Sequence, residues 1–431
     1  MTGTQARTLR DDAPAFWRVG LLSFGGPAGQ ISVMHRVFVE ERGWLDEARF
    51  LHALNYCMVL PGPEAMQLTT YVGWLRHGWR GGVLAGLAFV LPGLAMILAL
   101  SALVWSYGDV PAVEGLLFGV KAAVLAIVVE ALLKMSRRAL NGRVSLAVAV
   151  MAFVAIAFLA VPFPLIVLGA ALFGAARHAL GRAATDDVQP PETLPAAHGG
   201  STLRTALVWL GLWIVPGLLL FALLGGGHVL SRMALFFSQA ALVTFGGAYA
   251  VLAYVAQAAV ETYGWLMPGE MLMGLGLAET TLGPLVLMLV FVGFMGGARS
   301  AGMEPLAGGI AGGLVAAWFT FVPCFLWVFL GAPYMERLRH VQWLREALSA
   351  VTAAVVGVIA NLALWFGLRV LFGEPGELRL GPLAVPLPDP ATFDLRAALI
   401  ALAASIALMR FGANVIAVLG VAALVGLLVA A

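Results

Sequence analysis

From Val83 to Tyr107 the chain passes twenty-five residues without one charged side chain. A helix of that length, rising 1.5 Å per residue, exceeds the ~30 Å of hydrocarbon in a bilayer. Comparable apolar runs recur at Gly115–Lys134, Val144–Leu159, Leu165–Ala176, Ala206–Leu224, Met271–Met295, Leu306–Leu330, Ala350–Leu371 and Leu395–Met409, and from Val415 to the last residue. A soluble protein would have to dress such runs with polar surface, yet only 11% of the residues are charged and 61% are hydrophobic. Soluble domains carry about a quarter charged residues. The chain is therefore read as an all-α polytopic membrane protein, because no polar–apolar alternation marks barrel strands. Span length puts the count at about twelve membrane helices, give or take two, broken or re-entrant ones included.

Two polar stretches interrupt this pattern. Arg182–Arg204, rich in Pro, Thr, Asp and Gly, reads as a flexible linker between an N-terminal repeat (1–181) and a C-terminal repeat (205–431). A second polar loop covers roughly Gly373–Asp394.

The two halves repeat one another. Phe24–Gly25–Gly26 and Phe245–Gly246–Gly247 lie 221 positions apart, and the same shift superimposes Val39–Glu40 on Val260–Glu261, Gly43–Trp44–Leu45 on Gly264–Trp265–Leu266, and Gly62–Pro63 on Gly283–Pro284. Thirteen identities fall between Leu21 and Pro63 without a gap. Apolar composition alone does not align GG, GW and GP in one frame. Paired halves with interrupted helices at matching positions are a sequence pointer to a transporter's central site. The halves are expected to be inverted repeats if each carries an odd number of spans.

The interruptions supply the candidate residues. In Ser23-Phe24-Gly25-Gly26-Pro27, glycine frees the backbone and proline favours a new helix start. A helix beginning there presents free N–H groups and a positive dipole end to an anion, although close helix packing through small residues explains a glycine pair equally well. Thr244-Phe245-Gly246-Gly247 is the second copy, with Ala248 where the first has proline. Pro61-Gly62-Pro63 forms another break, with Glu64 in the first turn that follows; its partner is Thr280-Thr281 with Gly283 and Pro284, preceded by Glu279. Glu64 reads first as a helix-start carboxylate and second as a protonatable group. Glu279, in a more apolar setting, is the stronger candidate for proton coupling. Arg18, His35 and Arg36 put positive charge near the first break, where the second repeat has Gln239, Ala256 and Gln257. An Arg36–Glu40 pair one helical turn apart is the plain alternative. Lys121, in the middle of an apolar run with Glu114 on the same helical face, joins the substrate-binding candidates.

Several functions are excluded or left without support. The net charge of +2 gives no field for nucleic acid. Only two lysines occur, Lys121 and Lys134, and neither follows a glycine, so no phosphate-binding loop powers transport from within this chain. Two cysteines and seven scattered histidines build no disulfide framework, metal cluster or catalytic arrangement. No enzyme activity and no cofactor are expected. The expected partners are the bilayer, a small anion and, as an assembly, a second copy in a homodimer.

SFGGPAGQISVMHR, VEERGWL, FLHALNYCMVLPGPEAMQLTTYVGW, FVLPG and GVKAAVLAIV resemble the N-terminal half of the chromate ion transporter family, and FGGAYAVL, GWL, GLAETTLGPL and FVGF resemble its C-terminal half. The resemblance covers most of the chain. It implies a secondary transporter that exports chromate across the bacterial inner membrane on the proton motive force and confers chromate resistance. It also implies sulfate as a related oxyanion. A sulfate importer or exchanger on the same fold is the alternative within this class; outside it stands a membrane protein that transports nothing, such as a lipid-handling enzyme or a scaffold.

Overall fold

The computed structural model describes residues 8–24, 26–58, 60–181, 202–245, 248–332, 342–372, 376–380 and 383–430. The first half runs α1 (Leu9–Leu22), α2 (Gly26–His35) with a π turn at Arg36–Glu41, α3 (Glu47–Cys57), α4 (Glu64–Tyr107), α5 (Pro111–Ala139), α6 (Arg143–Leu159) and α7 (Phe163–Ala179). After α8 (Thr202–Leu224) the same series returns: α9 (Val229–Val243), α10 (Ala248–Gln257) with a π turn at Ala258–Thr262, α11 (Pro268–Thr280), α12 (Met288–Ser300), α13 (Pro305–Gly331), α14 (Gln342–Phe372), α15 (Leu395–Phe411) and α16 (Val415–Ala430). Sixteen helices are thus seen among the described residues, and α4, α5, α8, α13 and α14 are long and apolar enough to cross a membrane. The fold is that of an all-α polytopic membrane protein built from two halves. Most of the expected linker lies outside the described residues, and its last residues, Thr202–Arg204, already belong to α8 because TLRTALVWL continues that helix's apolar run.

In each half the first two helices form a hairpin. Phe16 of α1 meets Phe38 in the π turn at 6.0 Å and Trp44 beyond it at 5.2 Å, so α2 folds back along α1. The second half does the same with Phe236 and Phe237 on Trp265. Both π turns close on the repeated GWL motif, where Trp44 N–H donates to Phe38 O and Trp265 N–H to Ala259 O, each at 2.8 Å.

α4 turns back on itself at His77 (φ −139°, ψ 22°) and Gly78 (φ 62°, ψ −153°). Gly78 takes a left-handed conformation that a side chain would strain. The first arm (64–76) corresponds to α12 and the second (79–107) to α13. Counterparts run antiparallel: along the second arm, Gly82 and Gly86 face Phe329 and Phe325, and Leu98 faces Gly313. The repeat is therefore inverted, as transporter halves related by an in-plane axis are.

The halves are also interlaced. α5 packs against α15 and α16 of the second half, while its counterpart α14 packs against α6 and α7 of the first. Glycines bring these backbones together: Gly119 lies on the Ala422 carbonyl, Gly426 on Gly115 and Gly119, and Gly357 on Ala149. Small residues at contact points let membrane helices approach closely. Leucines such as Leu172, Leu207, Leu402 and Leu424 stay exposed on the outside of the bundle, where lipid replaces water as solvent.

The stretch read as a polar loop at 373–394 contains structure. Gly376–Leu380 pairs antiparallel with Leu383–Leu387 in a two-stranded hairpin. Leu378, Leu380, Leu383, Val385 and Leu387 alternate with a period of two, the strand signature that the loop's overall polarity conceals.

Asp12 fixes α1 to the turn of α4. It is fully buried and accepts from Arg76 Nε at 3.1 Å and Arg76 Nη2 at 2.8 Å, with His77 Nε2 at 2.9 Å. Removing one partner of a buried pair costs about 3 kcal/mol or more. Asp12→Ala is therefore expected to lower the melting temperature of the detergent-purified protein clearly, with the exposed Arg10→Ala variant unchanged.

Candidate functional site

A helix interrupted inside a membrane leaves backbone groups without partners, at several kcal/mol each. Each half answers this with the other's backbone. Gly283 N–H donates to Ser23 O at 3.0 Å, and Gly62 N–H donates to Thr244 O at 2.8 Å. Ser23 and Thr244 are repeat counterparts, as are Gly62 and Gly283, so the two bonds are one contact made twice. The hydroxyls repeat as well, Ser23 Oγ donating to Val19 O at 2.6 Å and Thr244 Oγ1 to Ala240 O at 2.5 Å. Tight turns follow, with Phe24 N–H bonded to Leu22 O and Phe245 N–H to Val243 O.

This crossing gathers four helix starts: α2 at Gly26, α10 at Ala248, α4 at Glu64, and the short turn Leu285–Leu287 that leads into α12. Pro63 and Pro284 hold extended backbone just before two of them. Between them lies a small cavity whose lining includes Gln30, Pro63, Glu64, Ala248, Pro284 and Leu285. Gln30 is buried and donates through Nε2 to Gly283 O at 2.7 Å, while Gln67 Nε2 donates to Pro61 O at 2.7 Å. Helix starts that converge on one point supply N–H groups and positive dipole ends to an anion.

Glu279, buried at the end of α11, accepts a hydrogen bond from Tyr249 OH in the first turn of α10. Its Oε2 faces the first half's break, 3.9 Å from where a Cβ on Gly26 would sit. Glu130 and Lys134 of α5, paired at 2.6 Å, are the charges that act on it. Thr280 and Thr281 spend their hydroxyls on Leu277 O at 2.8 Å and Ala278 O at 2.9 Å, closing the helix that carries Glu279.

The expected cations lie elsewhere. Arg18 points away from the break and pairs with Glu41 at 2.5 Å, at the far end of the α1–α2 hairpin. Arg36 faces the same Glu41 at 4.0 Å rather than Glu40. His35 lies 3.2 Å from Glu40 and 2.5 Å from Glu47. Lys121 sits beside Gly269 at the start of α11, with Glu114 and Glu270 as the carboxylates whose charge acts on it. The structure thus brings Ser23, Gly26, Pro61, Gly62, Pro63, Glu64, Thr244, Glu279, Gly283 and Pro284 together around the crossing and leaves these four cations outside. Phe24 and Phe245 flank the two turns. Gly25, Gly246 and Gly247 fall outside the described residues, as does the side chain of Pro27. Gln30 and Tyr249 escaped sequence reasoning; their signal was a polar side chain a few residues past each glycine pair.

Gly62 (φ 124°) and Gly283 (φ 81°) hold left-handed backbone at the crossing. A Cβ on Gly62 would stand 2.7 Å from Cys324 Sγ, and one on Gly283 3.1 Å from Leu287 Cδ1. Strained backbone of this kind costs about 1–3 kcal/mol before any clash. Gly62→Ala and Gly283→Ala are therefore expected to unfold at lower temperature than Gly43→Ala, whose glycine has a similar positive φ but open space around it.

The comparisons with known proteins fit this geometry. The family model described as "Chromate transporter" matches residues 13–175 and 231–427, one segment in each half. A "Probable chromate transport protein" of Synechococcus elongatus is 30% identical over 89% of this chain and 93% of its own length. A "Chromate transport protein" of Cupriavidus metallidurans is 27% identical over 86% of each chain, and one of Pseudomonas aeruginosa is 33% identical over 80% of this chain and 77% of its own. No solved structure matches. Two inverted halves crossing at paired glycine breaks, matched over nearly their whole length by one family, place this chain in the chromate transporter family.

Proposed function

We propose that this protein exports chromate from the bacterial cytoplasm across the inner membrane, and that the crossing of the two breaks is where the anion is held. The observation that carries this reading is the convergence of three helix starts, at Glu64, Ala248 and Leu285, on one cavity that Gln30 of α2 also lines. Chromate is a tetrahedral dianion, and fixed N–H dipoles can replace part of its hydration shell without a resident cation. The division into an N-terminal repeat (1–181) and a C-terminal repeat, with the linker between them ending where α8 begins at Thr202, is part of the proposal, because each repeat contributes one glycine break and one proline break.

The membrane potential, the electrical part of the proton motive force, supplies the drive. Two negative charges leaving an inside-negative cell release about 4–5 kcal/mol per 100 mV. Glu64 and Glu279 give the site its proton sensitivity. A carboxylate at the cavity repels the dianion, and protonation removes that repulsion, so anion binding strengthens as pH falls. Chromate resistance follows from export.

Inverted membrane vesicles test the reading. Labelled chromate should accumulate in them under an interior-positive potential, stop when the potential is collapsed, and slow when sulfate competes. Uptake of sulfate with none of chromate would reassign the substrate. In the same assay, Glu64→Gln and Glu279→Gln should each flatten the rise in apparent affinity toward low pH, a rise of about tenfold for a coupling of one pK unit. A pH profile unchanged in both variants removes the carboxylates from the mechanism.

A further inference from the structure

A second cleft opens where the start of α6 meets the end of α7. It is lined by Val144 of α6 and by Phe173, Ala176, Arg177 and Leu180 of α7. It encloses about 440 Å³, against about 310 Å³ for the cavity at the crossing. Positions 173, 176, 177 and 180 share one face of their helix. α14 stands between the two helices: Gly174 of α7 lies on the backbone of Glu346 and Ala347, and Gly357 lies on the Ala149 carbonyl of α6. Val144, Phe173 and Leu180 are exposed. The cleft therefore has apolar walls on the outside of the bundle and a single guanidinium among them.

Arginines gather at the same end. Between Glu130 and Asp186 the chain carries Lys134, Arg137, Arg138, Arg143, Arg177 and Arg182 and not one carboxylate. Arg137 and Arg138 close α5, Arg143 opens α6, and Arg177 lies in the last turn of α7. Among the described residues none of these four forms an ion pair, whereas Arg18, Arg76 and Arg299 each hold a carboxylate. α14 brings Arg345 and Glu346 to this end together, so the balance stays positive. Two crossings, 79–107 and 111–139, separate the turn of α4 from the end of α5, which puts Arg76 and Arg80 on this face as well. Loops rich in arginine mark the cytoplasmic side, and the anionic lipids of that leaflet attract basic segments.

We propose that the cleft between α6 and α7 binds an anionic phospholipid of the cytoplasmic leaflet, its phosphate held at Arg177 and its acyl chains laid along Val144, Phe173 and Leu180. A guanidinium fork matches two phosphate oxygens. Arg143, next to Val144 in the chain, and Arg137 and Arg138 before the α5–α6 turn raise the positive potential that draws the headgroup in. A free phosphate would satisfy the arginine and leave the apolar walls uncovered. A neutral lipid would cover the walls and leave the arginine without a counter-charge. Charge and apolar surface together select an anionic lipid. The cleft lies where α14 of the second half enters between α6 and α7 of the first, so the lipid braces the place where the halves interlace. The proposal does not depend on which anion the protein moves.

Detergent-purified protein would be titrated with phosphatidylglycerol in mixed micelles, with bound lipid counted by native mass spectrometry and the melting temperature followed in parallel. Phosphatidylglycerol is expected to bind and to raise the melting temperature. Zwitterionic phosphatidylethanolamine, and sn-glycerol 3-phosphate without acyl chains, should do neither at the same concentration. Arg177→Gln should weaken phosphatidylglycerol binding about tenfold, the loss of one charge-assisted hydrogen bond. Ala176→Trp, which fills the cleft and keeps every charge, should weaken it at least as much. Arg80→Gln, on the same face but outside the cleft, should leave it unchanged. Affinity unaltered in both Arg177→Gln and Ala176→Trp overturns the site, as does an equal loss in Arg80→Gln, which would mean diffuse surface charge. Equal binding of phosphatidylethanolamine overturns the part assigned to Arg177, and an equal effect of glycerol 3-phosphate overturns a lipid as the occupant. The lipid-free melting temperature of each variant separates a lost site from a lost fold, and where Arg177→Gln does not fold, Ala176→Trp decides.

Discussion

The structure depends on a pair of backbone hydrogen bonds exchanged between its halves. A helix broken in hydrocarbon must find partners for the groups it frees, and neither half has them to spare. Gly283 donates to Ser23, and Gly62 donates to Thr244. Because the breaks satisfy each other, helix starts at Glu64, Ala248 and Leu285 are held at one place around a shared cavity. The groups proposed to bind the substrate are thus the remainder of a solution to a solvation problem that the chain had to solve in any case.

Much of this was legible in the sequence because it was written twice. A glycine pair or a Gly-Pro step in a membrane helix says little alone, but the same steps 221 residues apart identify the breaks and their correspondence. Which break meets which was not legible. The crossing joins the glycine break of one half to the proline break of the other, a long-range contact that no local pattern encodes. The exchange of α5 and α14 between the halves was hidden for the same reason, since apolar runs look alike whichever neighbour they bury against.

The cations illustrate a different limit. Arg18, His35 and Arg36 lie near the first break in sequence, yet they serve Glu40, Glu41 and Glu47 at the other end of a hairpin. A helix carries a side chain 1.5 Å farther with each residue, so a dozen positions beyond a break is more than half a bilayer away. Nearness along the chain predicts nearness in space only until the next helix begins. Conversely, Gln67, Thr70 and Thr320 read as isolated polar residues in apolar runs, and only packing shows that all three are buried within the bundle.

Among the described residues, α8 has no counterpart in the first half. In each half the two broken hairpins enter and leave on the same side; four helices follow, the last two of 17 residues in the first half, at the short end of what spans hydrocarbon. Four crossings return a chain to the side from which it set out, and a second copy joined directly to the first would face the same way. α8 adds a fifth. Its sparse burial, against α9 and α13 at the rim of the bundle, fits an element whose contribution is parity rather than packing. One additional membrane passage turns a tandem duplication into an inverted one, and only inverted copies can offer their breaks to each other across an axis in the membrane plane.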